Sequence, residues 1–193
     1  MALKAHLFGS LSGRERRKIS SMERIICVAI GYLFGLLQTG YLYGKTQHVD
    51  IRKEGSGNAG TTNALRTMGW KAGAITFLGD CFKCVLAVAA TYFIYGKTQA
   101  EIWPLLMMYT GAGVILGHNF PFYMKFKGGK GIAATAGLII STLSLPMVLV
   151  CLVAFVGIVG VTRYVSLGSL AIVVIYLSLI HISEPTRLGL ISY

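Results

Sequence analysis

Residues 132–161 run for 30 positions without a charged side chain. A helix that crosses a bilayer needs about 20 apolar residues, and a run of this length leaves a soluble fold almost nowhere to hide it. Ile25–Tyr43 and Ile102–Tyr123 are apolar runs of similar kind, and Lys71–Tyr95 is another, interrupted by Asp80 and Lys83. Inside lipid each backbone N–H and C=O must find its partner within its own segment, so each run predicts a helix. Pro146, near the middle of Ile132–Val161, predicts two helices or a kinked pair there. Leu170–Ile180 begins a further run. The chain is 54% hydrophobic and only 13% charged, where soluble domains carry about 25%. The predicted fold class is therefore all-α, integral membrane, a polytopic helical bundle spanning residues 22–176.

The formal net charge of +11 is concentrated in the loops. In a membrane protein that speaks to orientation and to anionic lipid. No aromatic-basic pattern of a nucleic-acid surface accompanies it. The loop after the first run holds Lys45, Arg52, Lys53, Arg66 and Lys71; the loop after Ile102–Tyr123 holds Lys125, Lys127 and Lys130; the break after Val161 holds Arg163. Gly96–Glu101 has one Lys and one Glu. If each run crosses once and Ile132–Val161 crosses twice, the three basic loops share one side, expected to be cytoplasmic.

Both ends read as foreign to this pattern. Met1–Ser21 carries five basic residues on what would be the outer side, so it is expected to be an upstream extension, with Met22 as a start. The other reading, a basic cytoplasmic tail, inverts the topology. Leu177–Arg187 looks like a translated sequencing adapter, so residues 177–193 are expected to be non-native, with native sequence continuing beyond Tyr176.

Three polar stretches carry the candidate chemistry. Gly55-Ser56-Gly57-Asn58-Ala59-Gly60-Thr61-Thr62-Asn63-Ala64-Leu65-Arg66 joins glycines that allow close backbone approach, short hydroxyl and amide side chains, and a guanidinium that can bind a phosphate bidentately. Gly117-His118-Asn119-Phe120-Pro121 leads into Lys127-Gly128-Gly129-Lys130-Gly131. That run is a candidate anion nest, in which successive N–H groups converge and a Lys neutralises charge; it lacks the Gly-Lys-Ser/Thr ending of a P-loop. Thr162–Ser169 offers Arg163, Ser166 and Ser169 at a helix junction. Each stretch alone also fits a plain polar loop at a membrane interface. Asp80 and Lys83, three apart on a helix, fit either a structural ion pair or the lining of a polar cavity. Cys27, Cys81, Cys84 and Cys151 all fall in apolar runs; the Cys81/Cys84 spacing has no second pair, so buried small residues are expected rather than a metal site. No His-x-x-x-x-Asp and no G-x-S-x-G occurs, which disfavours a mechanism built on a strong protein base.

In order and spacing these stretches resemble the bacterial acyl-phosphate-dependent glycerol-3-phosphate acyltransferases. The resemblance rests on Asp50-Ile51-Arg52, Gly55–Asn58, Thr62-Asn63 and Arg66, on Gly117–Asn119, Pro121 and Phe126–Gly131, and on Tyr164–Ser169. It implies an inner-membrane enzyme with seven transmembrane helices, about six of them present here, its active site facing the cytoplasm. It implies transfer of a fatty acyl group from acyl phosphate to the sn-1 hydroxyl of glycerol 3-phosphate, giving 1-acyl-glycerol 3-phosphate and phosphate, with no cofactor and with membrane lipid around the acyl chain. Carried over by position, Ser56, Arg66, Lys130 and Ser166 are the expected catalytic residues. Gly55, Gly57, Asn58, Thr62, Asn63, His118, Asn119, Lys127, Gly128, Gly129, Gly131 and Ser169 are the expected substrate contacts, Lys127 or Lys130 being the loop's cation and Ser166 or Ser169 the third stretch's serine. Arg66 is expected to hold the glycerol 3-phosphate and the Gly128–Gly131 loop the acyl phosphate. The family's C-terminal His-x-x-Asn is not matched, because His181 is followed by Ile182-Ser183-Glu184. A carrier or channel for phosphorylated solutes is the rival reading.

Overall fold

The computed structural model describes residues 19–183. Of the expected extension only Ile19–Ser21 falls within them, and the tail beyond Ser183 lies outside. Among the described residues the regular structure is helical throughout: α1 Ser21–Gly35, α2 Thr39–Thr46, α3 Thr61–Tyr95, α4 Trp103–Asn119, a 3-10 turn Phe122–Met124, α5 Ile132–Thr142, α6 Leu145–Thr162 and α7 Val165–Ser183. Ser20 starts α1 through a capping box: its hydroxyl accepts from Glu23 N–H at 3.1 Å, and the Glu23 carboxylate accepts from Ser20 N–H at 2.8 Å.

Among the described residues three stretches are long and apolar enough to cross a membrane: Ser21–Thr46, Thr61–Tyr95 and Leu145–Thr162. The first is broken. α1 stops at Gly35 and α2 resumes at Thr39, where the run Gln38-Thr39-Gly40 interrupts the apolar sequence. α3 bends sharply at Gly69, whose φ of 86° is open to glycine and costly for other residues. Thr61–Met68 thereby folds back so that Leu65 packs on Gly73.

The expected division of Ile132–Val161 into two helices is present, two residues before Pro146 rather than at it. The run Ile132–Val161 divides at Leu143-Ser144, and Pro146 occupies the first turn of α6, where its missing N–H costs nothing. α5 is left with 11 residues. That is about 16 Å of helix, roughly half the hydrocarbon thickness. Because α5 is too short for a full crossing, the crossing count that set Arg163 beside the other basic loops loses its support.

The bundle is built on close helix contact rather than on large side chains. Gly31 and Gly35 of α1 face Gly113 and Gly117 of α4, in parallel. A Cβ on Gly31 would strike Thr110 O, one on Gly35 Val114 O, one on Gly113 Val28 O and one on Gly117 Tyr32 O. Lipid supplies little hydrophobic drive between helices, so small residues that let backbones touch hold such pairs together. In the same way Gly137 sets α5 against Cys81 and Cys84 of α3. The α6–α7 hairpin joins this core through Cys151, Ile172 and Tyr176, whose hydroxyl lies 2.8 Å from Thr142 Oγ1 and 3.2 Å from Met108 Sδ. All four cysteines are buried thiols.

Candidate active site

The loop that follows α2 is folded by one side chain. Asn63, on the first turn of α3, donates its Nδ2 to Ile51 O at 3.2 Å, Glu54 O at 3.0 Å and Asn58 O at 2.9 Å, and accepts Ser56 N–H on Oδ1 at 2.9 Å. Gly55 and Gly57 turn the loop at φ values of 57° and 70°. Ile51 and Ala59 anchor it on a small core with Ala64, Ala72 and Met124. Asn63 is expected to contact substrate, yet its amide is buried and engaged with the loop itself; its role here is to hold Ser56, which is exposed. Thr62 is exposed at the start of α3, whereas Thr61 Oγ1 is buried without a partner.

Of the two arginines in this loop region, Arg52 is engaged: it makes a bidentate pair with Asp50 at 2.8 and 2.9 Å and lies 4.7 Å over the Tyr41 ring. The hydrogen bond from its guanidinium pulls the Asp50 carboxyl down to about 2. Arg66 is exposed and, among the described residues, has neither an ion pair nor a side-chain hydrogen bond. It is the guanidinium free to take an anion.

The second loop is closed on the end of α4. Gly128 N–H donates to Asn119 O and Gly129 N–H to His118 O, each at 3.0 Å. This corrects the expected nest, since these two N–H groups are committed to the last carbonyls of the helix and are not turned toward a ligand. The glycines are needed for proximity instead. A Cβ on Gly128 would strike His118 O, and one on Gly129 would strike His118 Nε2. Lys125 and Phe126 both take left-handed backbone (φ 54° and 59°), and Gly131 (φ 77°) begins α5. Lys125, Lys127 and Lys130 are exposed along this loop. Asn119 keeps its Oδ1 buried and unpartnered beneath Gly131.

His118 does not face outward as a substrate contact would. It is 2% exposed, and its Nδ1 lies 2.8 Å from Lys83 Nζ and 3.7 Å from Asp80 Oδ1. Lys83 also donates to Asp80 Oδ1 at 2.9 Å, to Gly35 O at 3.3 Å and to Leu37 O. Thr39 Oγ1 completes the group with a 3.1 Å bond to Asp80. Gln38, absent from the expected site, is wholly buried and donates to His118 O at 2.9 Å and Gly35 O at 3.3 Å. Its position in a polar triplet within an apolar run was the available signal.

The two loops meet. Asn58 accepts Gly60 N–H on Oδ1 at 2.9 Å and donates Nδ2 to Gly128 O at 3.2 Å, with Gly60 against Gly129. The parallel α1–α4 pair brings both loops to one end of the bundle. The third stretch is not joined to them. Ser169 Oγ donates to Val165 O at 2.7 Å, Ser166 and Arg163 are exposed, and no hydrogen bond among the described residues links Thr162–Ser169 to either loop.

A family model described as Glycerol-3-phosphate acyltransferase matches residues 25–192. The glycerol-3-phosphate acyltransferase of Thermoanaerobacter sp. (strain X514) is 41% identical over 150 residues, 77% of this chain and 72% of that protein. That of Clostridioides difficile (strain 630) is 44% identical over 147 residues, 75% and 71% of the two chains. Among solved structures, the glycerol 3-phosphate form of PlsY (YgiH), an integral membrane glycerol 3-phosphate acyltransferase, superposes with a TM-score of 0.72 at 30% identity, covering 83% of this chain and 78% of that one. With its helices apolar enough to cross a bilayer and its paired polar loops at one end, the chain is an integral membrane acyltransferase and belongs to the glycerol-3-phosphate acyltransferase family.

Proposed function

We propose that the joined loops are a two-phosphate site that transfers a fatty acyl group from acyl phosphate to the sn-1 hydroxyl of glycerol 3-phosphate, releasing 1-acyl-glycerol 3-phosphate and phosphate on the cytoplasmic face of the inner membrane. The observation that carries this reading is the 3.2 Å bond from Asn58 Nδ2 to Gly128 O, which fixes the Ser56–Arg66 loop beside the Lys127–Gly131 loop. Arg66 on one side and Lys127 and Lys130 on the other are exposed cations, one set for each anionic substrate. Holding two reactants in register can supply several kcal/mol of the barrier. The acyl carbon–oxygen bond to phosphate breaks as the ester carbon–oxygen bond forms. The departing phosphate, its charge stabilised by the lysines, accepts the hydroxyl proton, so no protein base is required. Ser56, exposed and held by its N–H on Asn63 Oδ1, orients the attacking end of glycerol 3-phosphate. Ser166 and Ser169 join the site only if the α6–α7 hairpin brings them to these loops.

The test is steady-state kinetics with the purified full chain in lipid, following lysophosphatidate formed from acyl phosphate, with acyl-CoA beside it as donor. Loss of a bidentate guanidinium contact is worth about 1.5–3 kcal/mol, so Arg66→Ala is expected to raise the glycerol 3-phosphate KM roughly 10- to 150-fold. An unchanged KM overturns the assignment, and turnover with acyl-CoA alone overturns the donor. Phosphorylated-solute flux across vesicles without acyl transfer would instead favour a carrier.

A further inference from the structure

We propose that Lys83 and Asp80 are positioning residues that set the Gly128–Gly129 loop from inside the membrane, acting through His118. A pair that served stability alone could be complete with its two charges. Lys83 instead reaches four acceptors, two of them at the break after α1 (Gly35 O and Leu37 O), one on its own helix α3 (Asp80 Oδ1) and one at the end of α4 (His118 Nδ1). As an ammonium it donates to Nδ1, which puts the imidazole proton on Nε2, the ring edge that faces Gly129. The His118 carbonyl in turn receives Gly129 N–H at 3.0 Å and Gln38 Nε2 at 2.9 Å. Both the ring and the carbonyl of one buried residue therefore shape the same two glycines. Other bonds on the loop are the backbone bonds of Phe126 N–H to Pro121 O, Lys127 N–H to Met124 O and Gly128 N–H to Asn119 O, and the Asn58 bond to Gly128 O; the His118 ring is the side chain packed against Gly129. Charges at membrane depth are costly and pair or face a functional interior; here they form the floor beneath a loop of exposed lysines. The link to substrate rests on the anion-binding reading of that loop; the link to loop geometry does not.

Amide hydrogen exchange of the full chain in detergent, read on a peptide covering Lys125–Gly131, tests the positioning directly. Lys83→Met keeps the stem and removes the donors, and is expected to speed exchange at Gly128 and Gly129 at least about tenfold while a peptide from the middle of α4 is unmoved. His118→Ala is expected to do the same, and the double variant no more than either single, because both act along one path. Lys97→Met, in the opposite turn, is the control and is expected to change nothing. Unchanged loop exchange in Lys83→Met overturns the proposal, as do additive effects in the double variant. If Lys83→Met does not fold, His118→Ala alone decides, since unchanged loop exchange there removes the connecting residue. In acyl-transfer assays Lys83→Met is expected to raise the KM of one phosphate substrate about tenfold with a smaller change in kcat. Released loop amides with no change in either KM would support positioning and defeat the anion-binding reading.

Discussion

The carboxamide of Asn63 uses both its donor and its acceptor capacity on the loop that carries Ser56, with three carbonyls on Nδ2 and one N–H on Oδ1. Each such bond contributes about 1 kcal/mol net. Asn63→Ala is therefore expected to lower stability by roughly 2–4 kcal/mol and to open the loop, which trypsin reports by faster cleavage at the exposed Arg52 and Lys53. An uncleaved loop would show that something other than Asn63 folds it. Gly129→Ala acts differently. Its methyl would collide with His118 Nε2, so either the ring or the loop must move. Overpacking of this kind costs about 1–3 kcal/mol, so the thermal midpoint is expected to fall by a few degrees and acyl transfer at least about fivefold. The position of these residues could be read from sequence, but the direction in which each one acts could not. Asn58 and Asn63 look alike as short amides in a polar loop, yet one bridges to Gly128 and the other ties its own loop. Gly128 and Gly129 suggest displayed N–H groups, and their real constraint is contact with His118, which depends on where α4 ends.

At the scale of the helix, the apolar runs made the elements legible, while their breaks followed from local chemistry that hydropathy does not register. α1 stops before Gln38, α3 bends at Gly69, and α6 takes Pro146 into its first turn. The Asp80/Lys83 spacing announced a pair on one face, but not that Lys83 would also take the carbonyls freed at Gly35 and Leu37. The glycines divide into two kinds that sequence does not separate. Gly113 meets the backbone of α1 at Val28 and Tyr32, whereas Gly157 and Gly160 on α6 have open space where a side chain would go. Gly113→Leu is expected to force α1 and α4 apart, at a cost above about 3 kcal/mol by the overpacking scale, and to lower the thermal midpoint in detergent. Gly157→Leu is expected to stay within about 0.5 kcal/mol or gain slightly from better helix propensity. Equal effects at the two sites would mean that the α1–α4 contact does not hold the bundle.

For the whole molecule the geometry that decides the reach of the site is the side on which Thr162–Ser169 lies. The parallel α1–α4 pair and the Asn58–Gly128 bond put the first two loops at one end. The positive-inside tendency predicts that end to be cytoplasmic, since Lys45, Arg52, Lys53, Arg66, Lys71, Lys125, Lys127 and Lys130 gather there, against Lys97 and Glu101 in the turn at the other. α5 leaves that end and covers only half a bilayer, so the α6–α7 hairpin is not assigned to a side by counting crossings. Single cysteines read the answer. The native thiols at Cys27, Cys81, Cys84 and Cys151 are buried and form a low background. In intact cells a membrane-impermeant maleimide is expected to label Lys97→Cys, and to label Lys53→Cys and Lys125→Cys only after permeabilisation. Labelling of Lys53→Cys in intact cells would invert the orientation. Arg163→Cys, exposed at the tip of the hairpin, is the decisive position. An 18-residue α6 spans about 27 Å, enough to carry its tip from the far end of α5 back to the end where the lysines lie. Arg163→Cys is then expected to label like Lys125→Cys, which would set Ser166 and Ser169 on the side of the proposed two-phosphate site. Labelling in intact cells would separate them from it and leave Ser56, Arg66, Lys127 and Lys130 as the set that handles both substrates.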